Sequence, residues 1–295
     1  MSLFASVPNM SNPYDILHIY YLKGKLPPGA TRDLTDFHGN WEEADTSFLF
    51  FAQPSLDAVE ALIEPHEDVE LLDHYEMRYD EWQGDKITQR RIGNFFVVPP
   101  WENALPPMET AGDALRSLIL DPGVVFGSGT HPTTRDCLAA IELALDDGAL
   151  ADGAIANGGI RSALDLGTGT GLLALALAAL GCPKVLAVDT NLLAVQTARR
   201  NVMANRFEAQ ILVTQGDADK FIDARADLVV SNIHYDVMRR LLPAPGFRAK
   251  KRFVLSGLLR SEARAVRQAL EGMGARLLET WERDGVWSTF YGVIQ

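Results

Sequence analysis

Five short runs rich in Val, Leu and Ile recur between residues 161 and 257: RSALDLG, KVLAVD, AQILVTQGD, ADLVVSNI and KRFVLSG. Segments of helical length, GLLALALAALG and NLLAVQTARRNVMAN, follow the first two, and LLRSEARAVRQALEGMG follows the fifth. Strands joined by helices are βαβ units, whose crossovers return the chain to pair in parallel. This alternation predicts an α/β fold with an open, mostly parallel sheet. The apolar first helix reads as a buried crossover. The last stretch, RLLETWERDGVWSTFYGVI, has two β-rich runs with no helix between them and predicts a terminal antiparallel hairpin.

The front of the chain is built differently. YDILHIYYLKG and TSFLFFAQP read as strands, and residues 55–64 as a short helix capped by Ser55. VELLDHYEMRYDEWQ reads as a mixed element, and RRIGNFFVVPPW as a strand ended by Pro99 and Pro100. ENALPPMETAGD has the Pro and Gly content of a linker, and residues 146–160 read as an extended loop. The expected division is a small α+β domain over 1–85, a connecting strand and linker over 86–112, and the α/β domain over 113–295.

Charge is distributed along the same division. Residues 1–85 carry 17 Asp and Glu against 4 Lys and Arg, whereas the remaining 210 carry 22 against 23. Such an acidic face is either simply solvated or a docking surface that steers a basic partner and repels nucleic acid. No apolar run is long enough for a membrane span. The first residues lack the basic and apolar regions of a secretory leader, so a cytoplasmic protein is expected. Cys137 and Cys182 read as reduced packing residues, and no metal-ligand spacing is present.

In an open α/β sheet, ligands bind beyond the carboxyl ends of the strands, where the strand order reverses. The first strand of the α/β domain ends in LDLGTGTGLL, which places Asp165, Gly167, Gly169 and Gly171 at that edge. Leu172 stands where the dinucleotide fingerprint requires glycine, which disfavours a nicotinamide cofactor. Asp189 ends the second strand, where a carboxylate accepts ribose hydroxyls; Asp217 follows the third, in reach of an adenine; Asn232 ends the fourth. Each also has a plain structural reading, as an N-cap, a turn and an Asx-turn respectively.

A second stretch is unusual. Phe126 to Thr134, FGSGTHPTT, contains no Asp, Glu, Lys or Arg. It lacks the lysine of a phosphate-binding loop and suits a ligand that is less anionic. Phe126 either lies against the bound ligand or packs in the core. Thr133 to Asp136 has the pattern of a capping box, so the loop feeds a helix N-terminus.

These segments resemble the class I S-adenosylmethionine-dependent methyltransferases. More narrowly, LDPGVVFGSGTHPTT, DLGTGTG, AVDTNLLAV, VVSNI and LSGLLRSEA are similar to the PrmA-type ribosomal-protein methyltransferases, from about residue 75 to the end. FGSGTHPTT is the most specific of them, because class I methyltransferases in general lack it. The resemblance implies a Rossmann-like methyltransferase domain behind a ferredoxin-like docking domain, here degenerate. It implies S-adenosylmethionine as cofactor, with contacts at Thr134, Gly167, Asp189 and Asn232. Phe126, Gly127, Thr130, Asp165, Gly169, Gly171 and Asp217 complete the expected cofactor set. Asn232 is the expected catalytic residue, orienting the amine. The implied activity is methylation of lysine side chains, and of an N-terminal amine, on a large-subunit ribosomal protein at the stalk base. A monomer with no direct nucleic-acid contact is expected. The alternatives are a methyltransferase for another protein or a small amine, and a catalytically silent docking protein.

Two segments depart from the family pattern. His234, Tyr235 and Asp236 follow Asn232-Ile233 where the family has small or aliphatic residues; Tyr235 reads as a helix-start residue packed on the sheet. In the front domain, Pro27, Pro28 and two glycines stand where the first ferredoxin-like helix is expected, and predict its loss. His131 shares the FGSGTHPTT block and is expected to make a structural hydrogen bond rather than transfer a proton.

Overall fold

The computed structural model describes residues 12–102, 115–150 and 159–294. The α/β domain holds a seven-stranded sheet formed by β8 (Ala163–Leu166), β9 (Val185–Asp189), β10 (Ile211–Gln215), β11 (Leu228–Asn232), β12 (Arg252–Leu259), β13 (Arg276–Arg283) and β14 (Trp287–Val293). Their spatial order is β10-β9-β8-β11-β12-β14-β13. The first five pair in parallel, while β14 runs antiparallel between β12 and β13, giving the expected terminal hairpin. The order reverses between β8 and β11, which opens a crevice at their carboxyl ends.

Helices cover both faces. The Leu/Ala-rich α4 (Leu172–Ala179) is buried at nearly every position, as its lack of a polar face requires. By contrast α9 (Arg260–Gly272) buries only Ala263, Val266 and Leu270, one stripe at helical spacing. α5 (Leu192–Ala204) is capped by Asn191, whose side chain accepts the Leu193 N–H. α3 (Pro132–Leu150) starts with proline, which carries no N–H to leave unpaired there. It continues to Leu150, so the loop expected from 146 begins later; residues 151–158 lie outside the described ones. Cys137 and Cys182 are free and buried.

The front domain is an antiparallel sheet of β1 (Ile16–Lys23), β2 (Phe37–Glu43), β3 (Thr46–Phe51) and β4 (Glu70–Arg78), in the order β2-β3-β1-β4. This is the strand order of a ferredoxin-like unit. The helix between β1 and β2 is missing, and residues 24–36 run instead through successive turns such as Ala30 N–H to Pro27 O and Arg32 N–H to Gly29 O. The other helix is retained as α1 (Leu56–Ile63). Ser55 does not cap it as expected: its hydroxyl donates to Gln53 O at 2.9 Å. The mixed element resolves into β4 followed directly by α2 (Tyr79–Gln83).

The segment expected as one strand before Pro99 turns at Gly93-Asn94 and forms two, β5 (Arg90–Ile92) and β6 (Phe95–Val98). β7 (Arg116–Ile119) joins β6 in parallel, completing a three-stranded sheet. Most of the expected linker, residues 103–114, lies outside the described ones. Among the described residues no helix is long and apolar enough to cross a membrane, and no cluster of His, Cys, Asp or Glu could hold a metal ion.

Candidate active site

The crevice between β8 and β11 is framed by the glycine turn after β8, by Asp189, by Asn232, and by the loop of residues 121–131. Buried Asn201 on α5 holds two of these pieces together. Its Nδ2 donates to Asp121 O at 2.8 Å and to Thr170 O at 2.9 Å, and its Oδ1 accepts the Asp121 N–H at 2.9 Å. On its other flank the loop is held by the front domain. Tyr79 and Gln83 donate to Gly123 O at 2.7 and 2.9 Å, and Trp82 Nε1 donates to Val124 O at 3.1 Å.

Glycine is required in the turn by close approach. Gly169 has φ +55, and a Cβ there would lie 2.6 Å from Phe126 O. That carbonyl accepts the Thr170 N–H at 3.2 Å, and Thr170 Oγ1 donates to Gly127 O at 2.7 Å. The 121–131 loop and the glycine turn are thus one bonded unit. Gly167 is fixed by its N–H to Val188 O at 2.8 Å, and Gly171 is the N-cap of α4.

The acidic residues of the expected set stand in three different settings. Asp189 accepts the Gly169 N–H on Oδ2 and the Asn191 N–H on Oδ1, both at 2.9 Å. Burial raises its pKa, and these backbone N–H groups oppose the rise. Asp165 is completely buried and accepts from Thr168 Oγ1 at 2.7 Å, so it braces the turn from beneath and does not open onto the crevice. Burial pushes its pKa up to about 7, assisted by the Asp189 charge. Asp217 is the N-cap residue of α6 (Ala218–Phe221), half exposed; its side chain makes no capping hydrogen bond, and its Oδ2 lies 3.9 Å from Lys220 Nζ on that helix.

On the opposite side of the crevice, Asn232 Nδ2 lies 3.2 Å from Thr133 Oγ1, and Thr133 Oγ1 lies 2.7 Å from His131 Nδ1. The Thr133 backbone N–H also points at His131 Nδ1, at 3.4 Å. A backbone N–H can only donate, so Nδ1 is an acceptor and the imidazole is the neutral Nε2–H tautomer. The Thr133 hydroxyl proton then goes to Nδ1, its lone pair takes the Asn232 N–H, and Asn232 Oδ1 stays available. Burial lowers the His131 pKa, which favours that neutral form. The expected capping box is absent: α3 begins at Pro132, so Thr133 lies inside its first turn, and Asp136 instead holds Arg283 at 2.7 Å.

Other expected residues are nearby. Thr134 is buried with its N–H on His131 O, and Thr130 Oγ1 lies 3.1 Å from Ser128 Oγ. Phe126 is 64% exposed, which rules out core packing. Tyr235 opens α7 (Tyr235–Leu241) and packs, partly buried, on the sheet side, while His234 caps that helix through Nδ1. Sequence reasoning missed Asn201 and Trp287, whose ring meets His131 edge-on at 4.9 Å. No local pattern marks Asn201; Trp287 lies in the terminal hairpin, far from every motif.

The profile of the ribosomal protein L11 methyltransferase (PrmA) family matches residues 51–293. The chain belongs to the PrmA family. Curated relatives of that name include those of Exiguobacterium sp. strain AT1b, 36% identical over 186 residues, and Lacticaseibacillus paracasei, 35% identical over 208 residues. The matches cover 62% and 70% of this chain, but only 54% and 60% of the respective relatives. The crystal structure of a ribosomal protein L11 methylase from Lactobacillus delbrueckii subsp. bulgaricus superposes with a TM-score of 0.56 at 23% identity, over 70% of this chain and 99% of that one. That likeness supports the Rossmann-like methyltransferase fold. The PrmA profile begins at residue 51, so β1, β2 and nearly all of β3 lie ahead of it.

Proposed function

We propose that this PrmA-family chain transfers methyl groups from S-adenosylmethionine to amino groups, chiefly lysine side chains, of a large-subunit ribosomal protein. The observation that carries the reading is the meeting, at the switch point between β8 and β11, of the bonded glycine turn, Asp189 and the Asn232–Thr133–His131 chain. The donor set fits the cofactor. Asp189 at the end of β9 suits ribose hydroxyls, and the loop from Phe126 to Thr134 offers hydroxyl and backbone groups with no cationic side chain to repel a sulfonium. When bound, S-adenosylmethionine supplies an electrophilic methyl group on sulfur.

The residues of the chain then have to position an amine. Its nitrogen lone pair would take the methyl group in a new C–N bond, with the electrons of the methyl–sulfur bond left on sulfur as a neutral thioether. Lysine has an ordinary pKa of about 10.4, so it must first lose a proton, to water or on desolvation. Asn232 Oδ1 accepts an N–H of the neutral amine and so aims the lone pair. Alignment of this kind supplies much of the acceleration in a displacement. The acidic front domain supports docking of a basic protein.

The test is transfer of labelled methyl from S-adenosylmethionine into purified large-subunit ribosomal proteins, with mass spectrometry locating the label. Label on amino groups of the stalk-base protein is expected. Bound cofactor with no label there would transfer the reading to another protein or a small amine. The altered β1–β2 connection and the sequence after Asn232 are the features that would favour such an acceptor.

A further inference from the structure

Three aromatic rings meet beside the glycine turn, and the proposed reaction makes no use of two of them. The exposed Phe126 ring has its centroid 5.7 Å from that of Trp41, edge-on at 83°, and 6.1 Å from that of Trp82, tilted by 36°. Trp41 lies on β2 and Trp82 on α2, so the front domain provides both of Phe126's neighbours. The group is held in place. Trp82 is fixed by its Nε1–H to Val124 O and by an edge contact with Phe50 at 4.9 Å, and Phe126 is tied through its carbonyl to Thr170.

Trp41 and Trp82 are half-buried and pack against the core of the front domain, whereas Phe126 is left open to solvent. The surrounding charge selects what can sit against it. Exposed Glu42 follows Trp41 and exposed Glu81 precedes Trp82, Asp80 is paired with Arg78 at 2.9 Å, and the front domain as a whole is strongly acidic. Aromatic faces in a negative field attract cations and repel anions. An anionic or purely apolar occupant would forgo that attraction.

We propose that Trp41, Trp82 and Phe126 form a binding site for an alkylammonium group, in particular the methylated amine of the acceptor. The choice of methylated amine rests on the proposed function. Each added methyl widens the apolar shell of the cation and removes an N–H that water would hold, while the charge remains. The fully methylated amine is therefore preferred over lysine itself.

The experiment follows the intrinsic tryptophan fluorescence of the full chain, without cofactor. The chain is titrated with the N-acetyl amides of trimethyl-lysine, of lysine, and of the neutral isostere with carbon in place of the charged nitrogen. Trimethyl-lysine is expected to bind about fivefold more tightly than either of the others. Trp41→Leu and Phe126→Leu are each expected to remove most of that preference with the far-ultraviolet circular dichroism unchanged. Equal affinity for the cation and its neutral isostere overturns the proposal and needs no variant. So does a cation preference that survives both substitutions. Because cofactor is absent, failure of methyl transfer to ribosomal proteins would count against the proposed function alone.

Discussion

Asn232 and Thr133, 99 residues apart, meet through a 3.2 Å hydrogen bond that ties the end of β11 to the first turn of α3. The Thr133 hydroxyl donates its hydrogen bond to His131 Nδ1 and so can only accept from Asn232, which decides which end of the Asn232 amide faces the crevice. Thr133→Val removes the bond with little change in volume and leaves the amide free to turn. The expected result is a fall in kcat on the order of tenfold to a hundredfold, with S-adenosylmethionine affinity nearly unchanged and Thr133→Ser largely restoring turnover. Equal losses in kcat and cofactor affinity would make Thr133 a cofactor contact instead.

Asp189 has two duties, since the oxygens expected to meet a ribose also hold the Gly169 and Asn191 N–H groups. Asp189→Ala is expected to weaken S-adenosylmethionine binding by about tenfold or more and also to lower the melting temperature. Calorimetric titration and a thermal scan of the same variant check both effects. Unchanged cofactor affinity would remove the ribose assignment.

Asn201 makes three hydrogen bonds to backbone while 1% exposed. Asn201→Ala leaves those buried groups without partners and is expected to cost about 2–3 kcal/mol. A lower urea midpoint at unchanged slope is the sign of that loss. The variant should also bind cofactor less tightly, because the glycine turn and the 121–131 loop lose their common anchor.

Asp165 predicts an unusual pH dependence. Its folded pKa of about 7 lies above the ordinary carboxylate value, so between roughly pH 4 and pH 7 the folded chain holds a proton that the unfolded chain has released. Stability from this group is therefore present at low pH and lost as pH rises through that window, by at most about 1.4 kcal/mol per pH unit. Asp165→Asn cannot ionise and is expected to flatten the slope. Denaturant midpoints at several pH values, compared with those of the original chain, measure the difference.

Much of the scaffold was legible along the chain. The five parallel strands, the terminal hairpin, the loss of a helix around Pro27 and Pro28, and the glycine turn all follow from patterns spanning a few residues. Boundaries and caps were less legible. Ser55 and Thr133 each have the residue type of a cap, but one hydroxyl turns back to Gln53 and the other lies inside α3, bonded to His131. A capping pattern states which bonds a side chain can make, and the neighbouring chain decides which it does make.

The sequence by itself determined the class of fold and the family, because strand and helix periodicity and the FGSGTHPTT block are local properties of the chain. Tertiary structure alone decided that Asn201 would bind Asp121 and Thr170 together, that Asn232 would meet Thr133, and that Phe126 would stand exposed between Trp41 and Trp82. The physical reason is range. Propensity and capping act within a few residues, whereas these contacts join residues 31 to 99 apart in the case of the hydrogen bonds, and are set by how two sheets and their helices pack.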